Sequence, residues 1–401
     1  MKRALRILVR PLRGVRIALA LAIILVATAV ASRPLQAQTF TVLYAFTGGV
    51  DGWEPLVDLV RDGAGNLYGT TVYGGTSGYG VVFKLATTGK ETTLHSFTGA
   101  DGALPNAGLV RDGAGNLYGT TLYGGASGYG VVFKLAATGK ETVLLSFDGA
   151  DGAGSTADLV RDASGNLYGT TAYGGSGGCN YPGCGVVFRL GKTGGETVLH
   201  SFTGTGGDGA NPYGRLVRGT AGNTYSTTEL GGAYNHGTVF ELDKTGKETV
   251  LYSFAGKPDG EAPIAGLVRD AAGNLYGTTV YGGASGYGTV FKLGRAGKET
   301  VLYSFTGSSD GAFPSAGLVV DAAGNLYGAA QGGGSSDCNG GCGVLFKVDK
   351  SGKETVLYEF TNGDDGAGPV ASLIWDKAGN LYGTAEGGGA YGAGTVFKLT
   401  P

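Results

Sequence analysis

Few residues in this 401-residue chain have the chemistry of catalysis. Of three histidines, His95 and His200 stand where Tyr252 and Tyr303 stand in equivalent segments, so a packing role is expected for both. His236 is left, near Glu229, with Glu386 at the matching place of a later segment. Such a set could supply an acid and a base for hydrolysis or elimination on a carbohydrate or a lactone. No serine-nucleophile motif, phosphate loop or metal-ligand spacing accompanies it, and no cofactor or resident metal is expected.

A second set has the chemistry of binding. Tyr73, Tyr123, Tyr173 and Tyr281 recur at one offset from a repeated phrase, whereas Leu230, Gly332 and Gly387 take that offset in three other copies. Those three copies place Glu229, Gln331 and Glu386 one residue earlier. Tyrosine offers an apolar ring and a hydroxyl, which suits stacking on sugar rings beside carboxylates and amides. The plainer alternative is that these tyrosines are core and the exceptions are repeat drift.

Cysteines fall in two close pairs, Cys179 with Cys184 and Cys338 with Cys342, in enlarged loops of the third and sixth copies. Two local disulfides follow for an exported chain, each expected to add only about 2 kcal/mol because the loops are small. A shared zinc site is not expected from copies so far apart. Asp-Gly recurs at Asp51, Asp101, Asp151, Asp208, Asp259, Asp310 and Asp365, which reads as turn chemistry; no complete calcium-loop motif is present.

These residues need a scaffold, and the repeat defines it. Gly65-Asn66-Leu67-Tyr68-Gly69-Thr70 recurs with its Asn at 116, 166, 223, 274, 325 and 380. Within the first copy four strands are predicted, over residues 58–62, 66–73, 80–85 and 92–97, joined by tight turns at 62–66 and 88–90. Periods near 50 residues with four short strands point to a propeller, since one small sheet cannot bury both faces alone. The first copy of the fourth strand, residues 41–46, precedes all others, and the chain ends on a third strand, residues 394–399. The expectation is an all-β, seven-bladed β-propeller of four antiparallel strands per blade, with the N-terminal strand completing the last blade. The short turns then share one face and the variable loops the other. Arg61, Arg111, Arg161, Arg218 and Arg269 end first strands, where pairing with Glu91-type residues is expected.

Glycine makes up 81 residues, but at fixed offsets between apolar runs, which argues order rather than low complexity. Residues 1–37 carry a basic stretch and then the apolar run from Ile17 to Ala31, the pattern of a signal peptide, leaving one domain over 38–401. Cleavage removes seven of the 30 basic residues and none of the 32 acidic ones, moving the net charge from −2 to about −9. An acidic surface argues against nucleic acid and anionic lipid, and no second apolar run could span a membrane.

The pattern Asp-x-x-Gly-Asn-Leu-Tyr-Gly-Thr-Thr, then Gly-Gly, Gly-x-Val-Phe-Lys-Leu and Gly-Lys-Glu-Thr-Val-Leu-Tyr-Ser-Phe resembles the GloVer (Gloeobacter/Verrucomicrobia-type) tandem repeat of exported bacterial proteins, over residues 39–400. Its Asp-x-x-Gly-Asn hairpin is also similar to that of NHL-type and gluconolactonase-type propellers. The resemblance implies an exported repeat protein of undefined activity, with a C-terminal sorting or anchoring tail, whereas Pro401 follows the last strand copy directly. The expected function is a secreted, periplasmic or cell-surface monomer acting as a binding or scaffold module for a glycan or an extracellular protein. Its ligand residues would be Tyr73, Tyr123, Tyr173, Glu229, His236, Tyr281, Gln331 and Glu386. The alternative is a carbohydrate- or lactone-active hydrolase or lyase using Glu229, His236 and Glu386.

Overall fold

A computed structural model describes residues 38–179, 183–219 and 222–401; the signal-peptide segment lies outside them. Seven four-stranded antiparallel sheets form the blades of a closed propeller, with no helix among the described residues. Blade 1 runs Val60–Arg61, Leu67–Thr71, Val81–Leu85 and Glu91–Ser96 from the channel outward. The innermost strand is shorter than predicted. Only two residues pair, because the segment before them leaves the ladder to line the channel.

Closure follows the phase of the repeat. Thr39–Ala45 pairs antiparallel with Thr395–Thr400, from Thr39 opposite Thr400 to Ala45 opposite Thr395. A bulge between Val42 and Tyr44 matches the one between Val82 and Phe83 in blade 1, so the composite blade 7 repeats the geometry of a continuous one. Joining the termini by ladder hydrogen bonds leaves the ring without an open blade.

The core sits in the seams between blades. The phenylalanine ending each fourth strand meets the third-strand phenylalanine of the next blade edge to face: Phe97 on Phe133 at 5.1 Å, Phe202 on Phe240 at 5.1 Å, and Phe46 on Phe83 at 5.1 Å across the closure. All six rings are fully buried. The repeat glycine is needed here for space rather than for a turn, since a Cβ on Gly69 would stand 2.8 Å from Phe83 Cζ.

The repeated phrase itself builds the short-turn face. Asp62 Oδ1 accepts from the backbone N–H groups of Ala64 and Asn66, and Oδ2 accepts from Asn66 Nδ2 (2.8 Å) and the Tyr68 hydroxyl (3.0 Å). Blade 4 has Gly219 in place of this Asp, and Asn223 and Tyr225 turn to Glu241 instead. The first-strand arginines do not take up the expected pairing with glutamate. Each lies over the repeat tyrosine of the preceding blade, as Arg111 over Tyr68 at 5.8 Å and Arg218 over Tyr168 at 4.7 Å, because neighbouring sheets set that ring directly opposite. Trp375 fills the same place against Tyr327.

The Asp-Gly loops are turn staples. Asp310 accepts from Thr306 N–H at 2.8 Å and from the Tyr303 hydroxyl at 2.9 Å. His95 Nε2 lies 3.1 Å from Asp101 Oδ2, replacing that tyrosine. Both disulfides form, Cys179–Cys184 and Cys338–Cys342, with Cα separations of 5.2 and 5.0 Å. No group of metal-ligating side chains occurs among the described residues.

Candidate functional site

On the variable-loop face each inter-blade loop enters the channel through a residue of left-handed backbone. Glu54, Leu104, Asn211, Ala262 and Phe313 adopt φ of 55–57°, and Gly154 and Gly368 adopt 64°. Left-handed φ costs a non-glycine residue about 1–3 kcal/mol and persists where surroundings enforce it. The enforcement is visible: Leu104 N–H donates to Tyr79 of the preceding blade, and its carbonyl accepts from Leu122 N–H at 3.1 Å. The same pair of bonds recurs at Asn211, with Cys184 and Glu229. The ring rigidly places the residues just outside it, which are the positions singled out from sequence.

Tyr123 and Tyr173 come together in one cleft of about 710 Å³ spanning blades 2–4, with Leu122, Tyr129, Leu230 and Asn211 as further walls and Cys179 at the rim. Tyr123 is 53% and Tyr173 40% exposed, so neither ring is core. The cleft floor is Gly154: a Cβ there would stand 3.1 Å from Tyr173 Cδ2 and 3.4 Å from Leu122 Cδ1. The amide of Asn211 donates to Ala172 O at 2.8 Å, which fixes the side chain beside the rings. The Tyr173 hydroxyl meets the Tyr213 hydroxyl at 2.9 Å. No charged side chain lines this cleft.

The other predicted residues lie elsewhere on the face. Tyr73 packs with Trp53 (centroids 5.5 Å), and Tyr281 meets Phe313 edge-on at 5.7 Å. Gln331 Nε2 donates to Glu386 Oε1 at 3.1 Å; burial raises the Glu386 pKa, Glu54 adds to the rise, and the Gln331 bond opposes it. Burial likewise raises that of Glu229, whose N–H donates to Asn211 O at 3.0 Å. His236 Nδ1 lies 3.2 Å from Glu261 Oε1, so the histidine partners a glutamate other than Glu229.

The channel carries a cluster that the sequence reading did not single out. Its waist is formed by one repeat position, occupied by Asp58, Asp158, Arg215 and Ser372, with glycine at 108, 266 and 317. Arg215 Nη1 lies 3.9 Å from Asp58 Oδ2 and 3.7 Å from Asp158 Oδ2. Asp58 also accepts from Ser372 N–H at 2.6 Å, and Asp158 accepts from Gly108 N–H. Burial and the neighbouring Asp58 hold the Asp158 carboxyl well above the usual carboxylate range, against the pull of Arg215.

The Gloeobacter/Verrucomicrobia repeat matches residues 29–219 and 176–397, which together span every blade. The chain belongs to this family. No curated protein matches the sequence. Among solved structures, the extracellular domain of the putative hybrid two-component system BT3049 from B. thetaiotaomicron is similar at 13% identity and TM-score 0.57, over 90% of this chain and 41% of that one. The corresponding domain of BT4673 from the same organism is similar at 10% identity and TM-score 0.58, over 90% and 39%. The chain thus spans about two fifths of these domains. A putative 6-phosphogluconolactonase from Bacteroides uniformis is similar at 17% identity and TM-score 0.52, over 80% of this chain and 88% of that one. At such identities the likeness is one of fold.

Within this Gloeobacter/Verrucomicrobia repeat chain, the residues missed from sequence are Tyr129, Asn211 and Tyr213 at the cleft and Asp58, Asp158 and Arg215 at the waist. A signal existed for the last three. Their repeat position otherwise holds only glycine or serine, so three charges in that column stand out once the copies are stacked.

Proposed function

We propose that this protein is an exported binding module that holds a glycan in the cleft of blades 2–4. One observation carries the reading: two half-exposed tyrosines and Tyr129 wall a cavity of about 710 Å³ whose lining is uncharged and includes a fixed amide. Saccharide rings present apolar C–H faces to aromatic rings and hydroxyls to amides and phenols, which is the complement of this lining. The signal-peptide pattern and the two disulfides support a place outside the cytoplasm. The wider ligand set named from sequence, including Tyr73, Tyr281, Gln331 and Glu386, would serve larger ligands lying across the face.

The catalytic alternative draws less support. Two of its three residues are drawn to other partners, His236 to Glu261 and Glu386 to Gln331. Titration calorimetry against neutral oligosaccharides tests the proposal: Tyr123→Ala and Tyr173→Ala should each weaken binding by at least about tenfold, the loss of one stacking contact. Binding that survives both substitutions refutes the cleft assignment. The double variant Glu229→Gln with Glu386→Gln should leave most of the affinity; if it instead abolishes turnover of a sugar or lactone, the enzymatic reading replaces this one.

A further inference from the structure

Tyr213 stands between two cavities. Its hydroxyl holds the Tyr173 hydroxyl at the cleft, and its ring lines the channel vestibule, a second cavity of about 120 Å³ that ends on the waist. One water needs only roughly 10–15 Å³, so the vestibule is more than a water site. Asn106 and Arg215 also line it, with Asp58, Asp158 and Ser372 at the bottom. Arg215 is 48% exposed on its side chain while touching both carboxylates, so its guanidinium still faces the cavity.

The waist is tightly filled. A Cβ on Gly108 would stand 2.7 Å from Asp158 Oδ1, and one on Gly317 would stand 2.6 Å from Ser372 Oγ. Asp58, Asp158 and Arg215 fit because three of their neighbours are glycines, and Arg215 of blade 4 reaches the carboxyl groups of blades 1 and 3, so side chains bridge the ring at this level. An extended ligand lying on Tyr123 and Tyr173 can therefore send one unit past Tyr213, and that unit must be its last.

We propose that the vestibule is a terminal subsite of the cleft, which takes the end unit of a neutral saccharide chain. This rests on the glycan reading given above. A carboxylate accepts hydrogen bonds from two adjacent hydroxyls and a guanidinium donates to two, so Asp58 and Arg215 together match the donor and acceptor character of a sugar diol. Neutrality follows from the charges present. Arg215 already lies between two carboxyl groups, and a charged end group would compete with that pairing, whereas a neutral diol adds hydrogen bonds without disturbing it.

The test uses the whole protein and defined probes: maltohexaose, cellohexaose and laminarihexaose, each also coupled to 2-aminobenzamide at the reducing end or carrying a benzylidene cap at the other, and α-cyclodextrin, which has no end. Calorimetry should show at least one free hexaose binding, a loss of at least tenfold with one of its two capped forms, and no binding of α-cyclodextrin. Asn106→Tyr fills the vestibule with a side chain that blade 4 already carries at the same repeat position, Tyr213, and should cost at least tenfold without lowering the melting temperature. If a hexaose binds, depends on Tyr173, and is indifferent to both caps, the terminal subsite is wrong while the cleft stands. If no hexaose binds the native protein, the glycan reading fails and takes this inference with it. Should Asn106→Tyr not fold, the capped probes on the native chain still decide.

Discussion

Each fourth strand of blades 2–6 opens on a glutamate whose carboxyl faces the aspartate of the loop leading into its own blade: Glu141 faces Asp101, Glu196 Asp151, Glu248 Asp208, Glu299 Asp259 and Glu354 Asp310. Burial first, and the facing aspartate second, push each of the five up to about 7. In each, Oε1 is buried without a hydrogen-bond partner. A folded-state pKa raised above the unfolded one means that the fold prefers the protonated acid. Stability is then full below about pH 4.5 and declines as pH rises from there through about 7. A rise from 4.5 to about 7 corresponds to at most ~3.4 kcal/mol per carboxyl. These groups are partly solvated, which screens the effect to about 1 kcal/mol each. The sites sit in different blades and should add, so replacing all five by Gln should stabilise the protein by about 5 kcal/mol at pH 8 and by little at pH 4.5. Guanidinium unfolding of the native and fivefold-substituted proteins at both pH values measures this. Equal pH dependence in the two proteins would refute the assignment of these carboxyls as uncompensated.

Two further outcomes follow from the seams and the short turns. Phe83→Ala removes a fully buried ring that meets Phe46 across the closure, and should cost about 3–5 kcal/mol in the same unfolding assay. Burial opposes ionisation of Asp376, but bonds from Asn380 and Tyr382 outweigh it and hold the carboxyl down at about 2, so its contribution is present above about pH 3.8 and lost as pH falls through 2. Asn380→Ala should raise the Asp376 pKa, as read by NMR titration, and cost about 1–2 kcal/mol at neutral pH.

The fold was readable because its information is periodic and local. Seven copies agree on where the turns fall, and the phase of the first and last copies dictates which strands must meet; Thr39–Ala45 has no sheet to join other than the one ending at Thr400. Agreement among copies says nothing of the site, which lives in the disagreements. The swap of Tyr for Leu230, Gly332 and Gly387 drew attention to the variable-loop face, where Tyr123, Tyr173 and Leu230 line one cleft. Yet it could not separate Tyr123 and Tyr173, which share a cleft, from Tyr73 and Tyr281, which pack on Trp53 and Phe313. That separation depends on neighbours in adjacent blades, and above all on Gly154, where the missing side chain opens the floor. Arg215 is the same case in reverse: as one arginine among many it is unremarkable, and it gains meaning only when the ring sets it 3.9 and 3.7 Å from two aspartates far away in sequence. In a closed repeat, a column of equivalent residues becomes a ring in space. A charged or missing side chain in such a column has the other copies as its contacts, so chemistry here is found by reading across copies rather than along the chain.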